Sequence, residues 1–163
     1  MKFLDHGKTL NLLGEPVKIN YKNTKFIKES VLNRNGELEV YLSETKRNNH
    51  KDILYAWLRK QAKSEISKRT EVIASSYGFL YNRISVKDQK SRWGSCSSKK
   101  NLNFNWKLIL VDKIEMDYVI VHELAHLRQM NHSSKFWDIV ESIMPRYKEI
   151  KRNLRSKEKN LMQ

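Results

Sequence analysis

Residues 122–132 read His-Glu-Leu-Ala-His-Leu-Arg-Gln-Met-Asn-His, and three of the chain's five histidines fall within this stretch. On a helix, His122 and His126 share one face, so both imidazoles can reach a single metal ion. Glu123 follows the first histidine directly and is placed to polarise a water at that ion. Helices rich in His and Glu also arise by chance on solvated faces. Here Val119, Ile120, Val121, Leu124 and Ala125 surround the motif, which makes the helix apolar on most sides. Buried histidines and a buried carboxylate are costly unless a metal or hydrogen-bond partners compensate.

His132 lies six residues beyond His126, and on an unbroken helix it would point away from the other two. It can join them only if the helix stops in between. Asn131 is the residue best suited to the left-handed conformation that makes such a stop. The expectation is one zinc ion per chain, held by His122, His126 and His132 with water in the fourth position. Glu123 would take a proton from the attacking water and return it to the leaving amine. Glu141 on the next helix is a competing third ligand. Otherwise Asp138 and Glu141 serve as acceptors that fix imidazole tautomers. Arg92 and Tyr118 are candidates for stabilising an oxyanion, although surface charge for Arg92 and packing for Tyr118 account for them more simply.

The elements that must position this site can be read from periodicity. Val17, Ile19 and Tyr21 alternate with polar residues after a turn at Gly14-Glu15-Pro16, and Leu38, Val40 and Leu42 alternate after Asn35-Gly36. The second pattern predicts a hairpin with positive φ at its turn, and the first 45 residues are expected to form a small antiparallel sheet. A long helix follows, with Asn49 as its cap and Asp52 in its first turn. Its apolar stripe is Ile53, Leu54, Trp57, Leu58, Ala62, Ile66, Ile73 and Tyr77, and Gly78 is its stop. Strand character returns at Ile84-Ser85-Val86. It continues through the alternation of Leu102, Phe104, Trp106 and Leu108, paired with Ser91–Cys96 across a polar loop at 97–101. Asp112 and Glu115 predict a capping box at the head of the histidine helix. Ser133 or Ser134 opens another helix that ends at Pro145, and a basic helix with Tyr147, Ile150 and Leu154 on one face closes the chain.

Composition bounds the possibilities. The chain has 163 residues, 39% hydrophobic and 31% charged, enough to bury a sizeable core. No apolar run reaches the length of a membrane span, the first residues do not resemble a secretory signal, and Cys96 is the lone cysteine. A cytoplasmic protein without membrane contact is therefore expected. Thirty-two Lys and Arg against 18 Asp and Glu leave a net charge of +14, concentrated in Lys46–Arg69, Arg83–Lys100 and Arg146–Lys159. Such a surface favours polyanions, nucleic acid included, although a highly soluble surface explains it equally well.

Arg92-Trp93-Gly94-Ser95-Cys96, Asn101–Asn105, Tyr118–Leu127 and Asn131–Trp137, in this order, resemble the YgjP-like metal-dependent hydrolases, zincin-fold proteins related to the SprT-type proteases. The histidine spacing is also similar to that of the metzincins, with Gln129 where those proteins carry glycine. The resemblance implies zinc on His122, His126 and His132, a catalytic Glu123, and the Arg-Trp-Gly-Ser segment on a strand near the cleft. Arg92, Trp93, Gly94 and Ser95 are accordingly the substrate-binding candidates. If this strand is an edge, Gly94 leaves room for a peptide backbone alongside. The expected fold class is α+β: a zincin-like core, with its motif helix and a small mixed sheet, over 46–163, and an antiparallel β region over 1–45. The leading function is a zinc metallopeptidase acting on peptides or proteins. The alternatives are a metal-dependent nucleotide pyrophosphatase, since some proteins of this kind are linked to that chemistry, and a nucleic-acid-associated module with structural zinc.

Overall fold

The computed structural model describes residues 1–25, 28–44 and 50–162. Four strands come first: β1 (Thr9–Leu12), β2 (Glu15–Thr24), β3 (Ser30–Arg34) and β4 (Glu37–Ser43). They form one sheet in the order β1-β2-β4-β3. The expected alternation holds, because Val17, Ile19, Leu38, Val40 and Leu42 are all buried. The expected hairpin also holds, with Asn35 at φ 50° and Gly36 at φ 76° between β3 and β4. Two details differ. The first turn is at Leu13-Gly14, so that Glu15 and Pro16 already belong to β2. The sheet is mixed rather than antiparallel, because β2 runs parallel to β4, Ile19 beside Leu38. Alternation fixes which face of a strand is buried, and it does so equally for either direction of its neighbour.

Helix α1 (His50–Tyr77) packs its every-fourth-residue stripe of Leu54, Leu58, Ala62, Ile66 and Thr70 against the rest of the molecule. Thr70 Oγ1 donates to the Ile66 carbonyl at 2.7 Å, so its hydroxyl is satisfied inside the stripe. Tyr77 falls off the buried face and is 45% exposed. Gly78, at φ 68°, ends the helix as expected. The proposed cap, Asn49, lies outside the described residues.

The second sheet has strands β5 (Arg83–Lys87), β6 (Gly94–Cys96) and β7 (Asn101–Asn105) in the order β5-β7-β6. The strand character expected through Leu108 stops at Asn105. Asn105 Oδ1 accepts from the Lys107 N–H at 3.1 Å, while Nδ2 donates to the carbonyls of Gln89 and Arg92. This buried amide both caps a 3₁₀ helix, Trp106–Leu110, and pins the loop leading into β6. All five residues of the 3₁₀ helix are buried, including Lys107. Their polar-apolar alternation is therefore not a strand's two faces.

Helices α2 (Lys113–Ala125), α3 (Ser134–Ile143) and α4 (Tyr147–Leu161) complete the fold. Met116, Val119, Ile120, Val121, Leu124 and Ala125 are all buried, so α2 is the central helix. Three attachments hold it. At its head, the Glu115 carboxylate accepts from the Asp112 N–H at 2.9 Å, as the capping box predicts. Asn11 and Lys157 add bonds to Asp112, and Lys157 also reaches Glu115. Midway, Arg69 of α1 makes a two-pronged bond to Asp117 at 2.9 and 2.6 Å. Beyond its end, Arg128 donates to the Tyr77 and Gly78 carbonyls and lies over the Phe79 ring. Among the described residues, no helix is long and apolar enough to cross a membrane.

Candidate metal centre and cleft

Helix α2 ends at Ala125, and the chain then tightens through bonds from Leu127 to the Leu124 carbonyl and from Arg128 and Gln129 to that of Ala125. Asn131 does not adopt positive φ, which corrects the expectation placed on it. Side chains make the turn instead. The His126 Nδ1 lies 3.1 Å from the Gln129 carbonyl, Gln129 Nε2 donates to Asn131 Oδ1 at 2.7 Å, and Arg128 grips the end of α1. His132 is thereby returned to the other two histidines. Its Nε2 lies 3.1 Å from that of His126 and 3.2 Å from that of His122.

The donor set fits a metal ion. A carbonyl can only accept, so His126 Nδ1 must carry the proton, and its Nε2 lone pair faces inward. Burial, then the neighbouring charges of His126, His132 and Lys151, pulls His122 down to about 3, so this ring is also neutral. The three Nε2 atoms converge on one point, where a single cation could accept a lone pair from each imidazole. The ligand atoms of the three histidines lie within 4.8 Å of one another.

Aromatic rings hold this arrangement from behind. Phe136 is fully buried and stacks on His126 at 4.5 Å, with His122 and His132 at 4.9 and 5.0 Å. Trp137 stacks on His132 at 6.0 Å and in turn on Tyr147 at 5.2 Å. Sequence reasoning did not connect Phe136 to the site. Its position on the first turn of α3, four residues after His132, was the available signal.

Glu123 is 6% exposed, and burial pushes its carboxyl up to about 7 despite the opposing charge of Arg92. It packs against Gly94 so closely that a Cβ there would sit 2.9 Å from Glu123 Cγ and 3.2 Å from Oε1. Gly94 therefore makes room for the glutamate. A cleft of about 420 Å³ joins His122 and Glu123 to Arg92, Trp93, Gly94 and Tyr118, with Lys151, Leu154, Arg155 and Glu158 of α4 as the opposite wall. Ser95 pairs with Asn103 in the sheet and does not line the cleft. Trp93 is buried, with its indole N–H donating to Glu158 at 2.9 Å, and Tyr118 is buried beside His122. Asp138 and Glu141 are exposed on α3, and among the described residues no hydrogen bond joins either to an imidazole. The acceptor found for His126 is a backbone carbonyl. Cys96 is half-buried, and burial together with Glu123 pushes its thiol up to about 11, which suits a small packing residue.

The family model for the YgjP-like metallopeptidase domain matches residues 2–157. The chain belongs to the YgjP-like metallopeptidase family. It is a metal-dependent hydrolase with a zincin-like α+β fold. Among solved structures, the metallopeptidase zymogen abylysin of Pyrococcus abyssi is 26% identical at a TM-score of 0.52, covering 56% of this chain and 93% of its own. The zymogen jannalysin of Methanocaldococcus jannaschii is also 26% identical, at a TM-score of 0.51, covering 56% of this chain and 95% of its own. No curated protein matches the chain. In this YgjP-like protein, the α4 wall of the cleft was not foreseen, since Lys151, Arg155 and Glu158 carry no motif.

Proposed function

We propose that this YgjP-like protein is a zinc-dependent peptidase in which His122, His126 and His132 hold the ion and Glu123 moves the proton. The observation that carries this reading is the convergence of three imidazole Nε2 atoms, one of them on His122, which lines a cleft together with the buried Glu123. A bound zinc would supply Lewis acidity toward a water and a carbonyl oxygen. Glu123 takes the proton of the attacking water and delivers it to the departing amine nitrogen. Burial favours its protonated form, while the charge of Arg92 and of a bound cation would favour the ionised one, so the carboxyl can both take up and release a proton. Among the described residues strand β6 is an edge of its sheet, paired with β7, and a substrate backbone can add along it. Arg92, exposed beside Glu123, is the candidate contact for an oxyanion.

The test is elemental analysis and cleavage of a peptide library by identically purified proteins. Wild type is expected to carry one zinc per chain and His132→Ala to lose it. Glu123→Gln should keep the zinc and lose about 10²-fold or more in turnover. Full zinc in His132→Ala, or undiminished turnover in Glu123→Gln, would refute the assignment.

A further inference from the structure

The α4 side of the cleft carries two cations, Lys151 and Arg155, and a third, Arg92, lines the same cleft. Lys151 and Arg155 stand one turn apart on α4, on the face that also presents Leu154 and Glu158 to the cleft. Arg92 approaches from the opposite side, its backbone carbonyl held by the buried Asn105 amide. Among the described residues, none of the three makes a salt bridge within 4 Å, although the Arg92 charge is felt by Glu123. The Lys151 ammonium instead lies 4.4 Å from the centre of the Trp137 ring. Glu158 on the same side accepts from the Trp93 indole N–H at 2.9 Å, a neutral donor that orients the carboxylate and leaves its charge in place. That bond also ties α4 to the segment that leads into β6. Three cations against the carboxylates of Glu123 and Glu158 leave the cleft lining with an excess of positive charge, which an entering anion would offset.

We propose that the cleft selects acidic peptides, seating an Asp or Glu side chain of the substrate among Arg92, Lys151 and Arg155. This rests on the peptidase reading and names its substrate class. A solvated basic surface would place its cations without regard to the cleft. Here they border the cavity that reaches His122 and Glu123, where a bound carboxylate would be partly shielded from water and less screened than at an open surface. Single exposed pairs contribute little, but three acting on one carboxylate amount to a preference of about tenfold.

Binding and cleavage are measured separately. Zinc-loaded Glu123→Gln protein is titrated, by fluorescence anisotropy, with labelled peptide pools that carry Glu, Gln or Lys at one scanned position among neutral residues. The Glu pool is expected to bind about tenfold tighter than the Gln pool at its best position, and the Lys pool weaker than both. The preference should shrink in 0.5 M salt. The exposed-face variant Lys151→Glu/Arg155→Glu, checked for folding by its thermal melt, should lose or invert it. Equal binding of the Glu and Gln pools overturns the proposal. So does a preference unchanged in the double variant, or tight binding of a nucleoside triphosphate with no peptide preferred. Wild-type cleavage reports on the peptidase reading separately. Cleavage of Glu and Gln pools at equal rates sinks the acidic preference alone, whereas no cleavage beside preferential Glu binding sinks the peptidase chemistry alone.

Discussion

Replacing Gly94 by alanine tests how the strand and the helix share the site. The added Cβ would lie 2.9 Å from Glu123 Cγ and 3.1 Å from the Asn103 carbonyl oxygen. Carbon atoms pack comfortably at about 3.5–4.0 Å, so the overlap is roughly 0.6 Å or more. Asn103 cannot give way, because β7 is the middle strand and pairs with Ser85 on one side and Ser95 on the other. Glu123 must move instead. Overpacking of this kind costs about 1–3 kcal/mol, which lowers the melting temperature of a chain this long by roughly 2–10 °C. A carboxylate displaced by part of an ångström to an ångström should reduce turnover by up to about 10²-fold. Zinc content should stay at the wild-type level, because no imidazole is touched. The decisive comparison is a double-mutant cycle on melting temperature. Glu123→Ala removes both Cγ and Oε1, so Gly94→Ala in that background should cost less than half of what it costs alone. Additive effects, or a Gly94→Ala protein with wild-type melting and turnover, would refute the close-approach argument.

Three further outcomes are expected. Phe136→Ala empties a fully buried site against all three histidines and should cost about 3–5 kcal/mol in denaturant unfolding, with zinc affinity falling alongside. Arg128→Ala should cost about 1 kcal/mol and Arg128→Lys should not restore it, because the bonds to the Tyr77 and Gly78 carbonyls and the stacking on Phe79 use the planar guanidinium. For pH dependence, the bond from Asn11 and then Lys157 hold the Asp112 carboxyl below its ordinary value of 3.8. A lowered carboxylate stabilises the fold above its unfolded value, and that contribution disappears as pH falls through the folded one. Asp112→Asn should therefore be less stable than wild type by up to about 1 kcal/mol at neutral pH, since the side chain is nearly half exposed. The gap should close below pH 3.8. Equal stability at pH 7, or a gap that widens in acid, would remove this attachment of α2 from the account.

Much of the site was legible because its information is local. His122, Glu123 and His126 lie within one helical turn and a neighbouring position, and periodicity alone places them. The apolar residues around them announced a central helix, and Asp112 with Glu115 announced its start. The route to His132 was only half legible. A break in the helix was required by spacing, but Asn131 was the wrong agent, since the turn is made by Arg128 reaching the carbonyls that end α1 some 50 residues earlier. Similarly, Trp106 and Leu108 continue a perfect alternation, yet the strand ends because the Asn105 amide bonds to Gln89, Arg92 and Lys107.

The sequence by itself determined most of the elements and their buried faces, and the three histidines with the glutamate beside the first, because these follow from residue chemistry and short-range geometry. Tertiary structure decided which surfaces meet. It set β2 parallel to β4, placed Gly94 against Glu123, put Phe136 behind the imidazoles, and turned Lys151 and Arg155 of α4 toward the cleft. A charged residue on a helix reads the same whether it faces solvent or a substrate. The difference is made by packing between segments far apart in the chain, and no local pattern records that packing.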